Sequence, residues 1–254
     1  MCGISGIHGL EQLTSPETIV GRMNDAMAHR GPDAAGVWRG GNVVLGHRRL
    51  SIIDLSHASD QPFRSSDGRY TIAFNGEIYN YRALKAELTG VSWRTGSDTE
   101  VLLEAYARWG LECLHRLEGM FAFAVHDAVT DELVLVRDRM GIKPLYWYRD
   151  DKHLLFASEI RALLASDMVP RRLDRDALVD HLRYQTVHAP ATMVKDVRML
   201  QAGHWMRIAD QEVSEGRWYD PVEASQQHVL PNSLPEIHHE VKDRLARAVE
   251  KRLV

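Results

Sequence analysis

Cys2, followed by the small Gly3, stands where removal of the initiating methionine would leave a cysteine carrying a free α-amine. Such an amine has a pKa near ~8, so a useful fraction is neutral at neutral pH and can take the thiol proton as the sulfur attacks. Nucleophile and base then share one residue, the arrangement of an N-terminal nucleophile. Taken alone, a cysteine beside a start codon reads more simply as a small buried apolar residue. An attacking thiol also needs donors aimed at the oxyanion it creates. The run FNGEIYNY offers two: the side-chain amide of Asn75 and the backbone N–H of Gly76. The run is placed where a strand ends in a turn, and Asn-Gly by itself is also the signature of a plain hairpin turn. Arg49, after a β run, and Asp98, in the first turn of a capped helix, are residue types that would pair the carboxylate and ammonium of a free amino acid. Each on its own reads as a surface charge.

Other candidate groups carry blander readings. Gly3, Gly6 and Gly9 mimic the spacing of a phosphate loop, but no Lys or Ser/Thr follows at the required place and the run reads as a strand. Cys113, between Leu111 and Leu114, reads as a buried apolar residue. His238 and His239 are adjacent, so they point to different sides of a helix and cannot share a metal, which would want i, i+4 spacing. Two cysteines so far apart in sequence make neither a disulfide framework nor a Cys-rich zinc site.

The elements that must position these residues are mostly strands up to about residue 165. CGISGI, the pair flanking Gly40-Gly41, YTIAFN, MFAFAVHD, ELVLVRD, PLYWYRD and HLLFAS are joined by short polar turns such as 127–131 and 150–151. Helical periodicity covers 16–28, 81–88, 97–109 and 159–165, and Ser97 with Glu100 forms a capping box. Hairpin-linked strands with helices between the groups predict an α+β fold of antiparallel sheets packed against helices. Beyond residue 170 come a helix over 174–184 and extended segments in MVKDVRML and GHWMRI. A Gln-, Ser-, Asn- and Pro-rich loop over 222–235 reads as a linker, and an amphipathic helix follows over 236–253 with Ile237, Val241, Leu245, Ala248 and Val249 along one side.

Composition excludes several classes. With 44% hydrophobic and 26% charged residues the chain is of globular type. A net charge of -4 gives no general attraction to nucleic acid or to anionic lipid, and no run approaches a membrane span or a signal peptide. The expectation is a cytoplasmic protein with neither a nucleic-acid nor a membrane partner.

Nine runs in order, MCGISGI, AHRGPDAAG, LGHRRLSIIDLS, QPF, FNGEIYNY, TGSDTEVLLEAY, LEGMFAFAVHD, RDRMGIKPLYW and FASEIRALL, resemble the class II glutamine amidotransferases, and most closely the N-terminal domain of the asparagine synthetase family. Glucosamine-phosphate synthases and phosphoribosyl-pyrophosphate amidotransferases share the N-terminal Cys and the Asn-Gly pair, but RLSIIDLS, NGEIYNY and HRGPD fit the asparagine synthetase branch better. The resemblance implies a four-layer αββα sandwich of two antiparallel sheets, with Cys2 starting the first strand. It implies Cys2 as nucleophile, Asn75 and Gly76 as oxyanion hole, Arg49 on the carboxylate of L-glutamine, and Glu77 with Asp98 on its ammonium. No metal and no cofactor are implied for glutamine hydrolysis. Arg137, Asp138 and Arg139 match a run whose role is read as structural, at the contact with a synthetase domain.

The family's SGG-x-DS pyrophosphate loop, which serves ATP and Mg2+ chemistry on aspartate, is not among these 254 residues. The expected organisation is a glutaminase domain over 1–220, then a linker and first helix over 221–254 leading towards a synthetase domain in cis or in a separate subunit. Homodimer formation stays open. Two alternatives remain: the glutaminase part of an amidotransferase with another acceptor, as in secondary metabolism, or a silent glutamine-binding or assembly module if Met1 is retained.

Overall fold

The computed structural model describes residues 1–209, 212–226, 231 and 233–253. Twelve strands make two six-stranded antiparallel sheets among the described residues. The first sheet takes β1 (Gly3–His8), β2 (Ala34–Gly40), β3 (Val43–Arg49), β8 (Tyr146–Arg149), β9 (Leu154–Ala157) and β10 (Arg198–Met199), in the order β10-β8-β9-β1-β3-β2. The second takes β4 (Phe63–Arg64), β5 (Tyr70–Ile78), β6 (Gly119–Asp127), β7 (Glu132–Arg137), β11 (His204–Ala209) and β12 (Glu212–Arg217), in the order β12-β11-β7-β6-β5-β4. Helices α1 (Pro16–Asp25) and α4 (Ile160–Ala165) cover the outer face of the first sheet; α2 (Tyr81–Glu87) and α3 (Asp98–Trp109) cover that of the second. The expected four-layer αββα sandwich is what forms.

Three apolar clusters fill the three gaps between the four layers, because alternate residues of a strand face opposite sides. In β1, Ile7 packs with Val20, Met23 and Leu163 beneath the first helical layer, whereas Ile4 joins Leu45, Phe156, Ala73 and Ala122 between the sheets. In β5, Ile72, Phe74 and Ile78 face α3 with Val101 and Leu102, and Ala73 faces the first sheet. The same parity sends Asn75 and Glu77 to the inter-sheet side, as it sends His47 and Arg49 there with Val43 and Leu45. His47 completes the bridge between the sheets, its Nε2 3.0 Å from the Phe74 carbonyl. Burial lowers its pKa to about 4, so the ring is neutral and Nε2 donates to that oxygen.

Several local expectations need correction. Asn75 and Gly76 do not form a turn: β5 runs through them to Ile78, paired with Ala122 and Phe121 of β6. Turn propensity loses here because Gly76 is needed inside the strand, where a Cβ would meet the Met120 carbonyl at 2.3 Å. The turn expected at Gly40-Gly41 does form, joining β2 to β3 with Gly41 at φ +51. Only half of the capping box forms. Ser97 Oγ accepts from Glu100 N–H at 3.3 Å, but the Glu100 carboxylate turns to the N–H groups of Arg94 and Thr95. The 222–235 segment is not all loop, since α6 (Pro221–Gln226) opens it; residues 227–230 and 232 of that expectation lie outside the described residues. Helix α5 (Arg175–Tyr184) is capped by the Asp174 carboxylate, and α7 (Leu234–Glu250) starts two residues before the expected 236.

Candidate active site

One cleft at the end of the inter-sheet space is lined by Cys2, Arg49, Asn75, Gly76, Glu77 and Asp98, all six residues singled out from the sequence. Cys2 lies just before β1, and two anchors hold it. Arg30 Nε donates to its carbonyl at 2.8 Å, and the Leu50 N–H lies 3.4 Å from its Sγ. Burial pushes the thiol above its ordinary value, while the Leu50 backbone and the positive N-terminus pull the other way. A hydrogen-bonded, part-buried thiol of this kind needs a base to lose its proton.

Asn75 is 1% exposed and its Nδ2 has no hydrogen-bond partner in the protein. Buried amide donors are nearly always paired, so this donor, which no protein group takes up, is left for whatever occupies the cleft. Gly76 supplies a second donor by strand alternation. On the edge of β5 that faces away from β6, the Phe74 N–H goes to Gln61 Oε1 at 2.7 Å and the Ile78 N–H to Asp98 Oδ2 at 3.0 Å. The Gly76 N–H, between them in the same alternation, points along that edge into the cleft.

Asp98 and Arg49 are not surface charges, as they read in isolation. Asp98, 5% exposed at the first turn of α3, is lifted by burial to a pKa of about 7, with Glu77 adding to the shift. Arg49 is 6% exposed, and its guanidinium is already engaged. Nη1 donates to Asp60 Oδ1 at 2.7 Å and to the Ser56 carbonyl at 2.8 Å, and Nη2 to the Asp54 carbonyl. The arginine that faces the cleft thus also ties down the 54–60 loop. Glu77 is half-buried on the cleft wall.

Two cleft residues were not singled out from sequence. Gln61 spans from β5 to α3, its Nε2 donating to Thr99 Oγ1 at 3.3 Å. Lys143 is 3% exposed, with Nζ 3.3 Å from Met1 Sδ, and burial lowers its pKa. Both fall inside runs that carry the family resemblance, QPF and RDRMGIKPLYW, but nothing in their spacing marks them as cleft residues.

The remaining candidates settle as follows. Cys113 is fully buried, and burial pushes its thiol up to about 12. Arg137 donates to the carbonyls of Lys143, Leu200 and Gly141, and Asp138 accepts from the N–H groups of Phe121, Met140, Ile142 and Lys143. Both therefore shape the turn that carries Lys143. Gly3 and Gly6 lie within β1. Among the described residues no group of three or more His, Cys, Asp or Glu could hold a metal ion, and no helix is long and apolar enough to cross a membrane.

A family profile described as the glutamine amidotransferase domain matches residues 1–219. The chain is 34% identical over 226 residues to asparagine synthetase [glutamine-hydrolyzing] 3 of Bacillus subtilis, covering 87% of this chain and 37% of that protein. It is 41% identical over 236 residues to a putative asparagine synthetase [glutamine-hydrolyzing] of Mycobacterium tuberculosis, covering 83% and 36%. The chain thus spans little more than a third of the length of these relatives. Among solved structures, glutamine phosphoribosylpyrophosphate amidotransferase from B. subtilis superposes with a TM-score of 0.65 at 22% identity over 85% of this chain and 49% of that one, a likeness of fold. The two-sheet sandwich, Cys2 at the cleft and the match over residues 1–219 agree, and the chain belongs to the glutamine amidotransferase domain family, with asparagine synthetases among its relatives.

Proposed function

We propose that the chain hydrolyses L-glutamine to glutamate and ammonia through a thioester on Cys2. The observation that carries this reading is the buried, unpartnered Nδ2 of Asn75 on the wall of the cleft that holds Cys2. Once Met1 is removed, the α-amine of Cys2 takes the thiol proton as Sγ attacks the side-chain carbonyl carbon of glutamine. The oxyanion is met by Asn75 Nδ2 and Gly76 N–H. The C–N bond then breaks, the amine returns its proton to the leaving nitrogen, and ammonia departs. Water, deprotonated by the same amine, cleaves the thioester to release glutamate. Asp98 and Glu77 take the substrate ammonium, and Arg49 the carboxylate.

The ammonia serves an ATP- and Mg2+-dependent amidation of aspartate by a synthetase domain, in cis or as a separate subunit. Supporting this are the names of the relatives and the third or so of their length that the chain spans. Residues 1–220 form the glutaminase unit and 221–254 lead towards that partner; the family match ends at residue 219. The test is ammonia release from glutamine by protein whose intact mass shows loss of the methionine residue. Processed protein that binds glutamine but releases no ammonia would make the chain a binding or assembly module instead.

A further inference from the structure

Glu159 lies outside the cleft and takes no part in the chemistry above, yet it is the carboxylate to which the clasp on Cys2 is fastened. We propose that Glu159 is a positioning residue for Cys2, acting through Arg30; the inference rests on the glutaminase reading. Once Met1 is gone, Cys2 has no preceding residue, and its orientation depends on its side chain, its carbonyl and the strand that begins at Gly3. The carbonyl is held by Arg30 Nε at 2.8 Å. That bond fixes the backbone torsion on which the direction of both Sγ and the α-amine depends.

Arg30 is itself held by Glu159, whose Oε1 accepts from Arg30 Nη1 at 3.0 Å. No other carboxylate among the described residues forms an ion pair with Arg30, and its Nη2 is buried without a partner. With side-chain exposures of 9% and 19%, the pair is shielded from the solvent screening that empties most surface ion pairs of energy. Glu159 is well placed to transmit position. Its neighbour Ser158 donates its N–H to the Ile4 carbonyl at 2.9 Å and accepts the Ile4 N–H on Oγ at 3.0 Å, so the segment grips β1 two residues from Cys2. His29 Nε2 also lies 3.0 Å from Oε1, and the Arg161 guanidinium places a second positive charge 2.9 Å from Oε2, without a hydrogen bond to it. Partial burial raises the Glu159 carboxyl, but the bonds from Arg30 and His29 outweigh it and leave it below its ordinary value, hence ionised.

The experiment compares Glu159→Gln and Glu159→Ala with the wild type in Met1-processed protein. The readouts are glutamine kinetics, melting temperature and the rate at which iodoacetamide alkylates Cys2. Because a nucleophile misplaced by a fraction of an ångström to 1 Å loses up to 10²-fold in rate, kcat should fall about tenfold in the Gln variant and further in the Ala variant. KM should stay within about twofold, since Glu159 touches no substrate group, and Cys2 alkylation should slow in the same order. Wild-type kcat in both variants would overturn the proposal. So would a loss shared equally by kcat, KM and melting temperature, which marks a merely structural role. If the wild type itself releases no ammonia, the glutaminase reading fails, and the alkylation rates still decide whether Glu159 positions Cys2.

Discussion

Asp98 Oδ2 accepts the backbone N–H of Ile78 at 3.0 Å, which fastens the start of α3 to the strand that carries Asn75 and Gly76. The carboxyl expected to meet the substrate ammonium and the donors expected to meet the oxyanion are therefore parts of one rigid assembly.

That carboxyl makes the site pH-sensitive. Its pKa is raised by burial from 3.8 to about 7, so between those values the folded protein keeps a proton the unfolded chain has released, and stability falls as pH rises through the window. Asp98→Asn still offers an acceptor to Ile78 and has no proton to lose. The melting temperature of Asp98→Asn relative to wild type should therefore climb from about pH 4 to about pH 8. A constant difference would mean that the carboxyl is ionised throughout. Glutamine pairs with the ionised form, so the wild-type KM should rise as pH drops below neutral.

The two cysteines should separate cleanly. Cys2→Ala should abolish ammonia release, and a diazo-ketone analogue of glutamine should label Cys2 while sparing Cys113, whose thiol burial pushes to about 12. Peptide mapping that finds the label on Cys113 would refute the assignment.

Asn75→Ala removes a donor that meets charge only as the tetrahedral intermediate forms. Its kcat should drop on the order of 10²- to 10³-fold with KM nearly unmoved. Steady-state kinetics showing an intact kcat would place the oxyanion elsewhere.

Arg49→Ala should act on binding, raising KM by the few kcal/mol of a charge-assisted pair and leaving kcat comparatively intact. The substrate carboxylate has to share a guanidinium that already holds Asp60 and the 54–60 loop, so part of the loss should appear as faster proteolysis of that loop. An unchanged KM would remove Arg49 from the pocket.

Gly76→Ala tests why glycine sits inside a strand. Its Cβ would meet the Met120 carbonyl at 2.3 Å and Phe121 Cα at 2.8 Å, backbone atoms that can move only by parting β5 from β6. Urea unfolding should show a loss of about 1–3 kcal/mol, as for other overpacked sites. A neutral change would mean that the two strands have slack at this point.

Most strands were legible because two-residue alternation and short polar turns are local signals, whereas the four layers came from the family resemblance and the edge strands β4 and β12 gave no such signal. The cleft was legible in residue type and in family likeness, but not in environment. Arg49 and Asp98 read as surface charges because their burial depends on the 54–60 loop and on β5, neither of which is near both of them in sequence. Asn75-Gly76 read as a turn because dipeptide preference does not see the close approach of β6. Gln61 and Lys143 were passed over because their cleft positions are set by long-range packing. Glu100 abandoned its half of the capping box because two backbone N–H groups of the preceding loop outbid the one at Ser97.

Strand β1 lies between β3 and β9, one partner near it in sequence and the other far: His8 faces Val43 on one side and Leu154 on the other. As the chain emerges from the ribosome, one edge of the strand beside Cys2 stays open until the residues of β9 follow, and Glu159 comes later still. The closing of β1 is thus a high-contact-order event and belongs late in folding. On the proposed glutaminase reading, Met1 stays in reach of an aminopeptidase until β9 has been made, and Cys2 is set in place only when most of its supporting sheet exists.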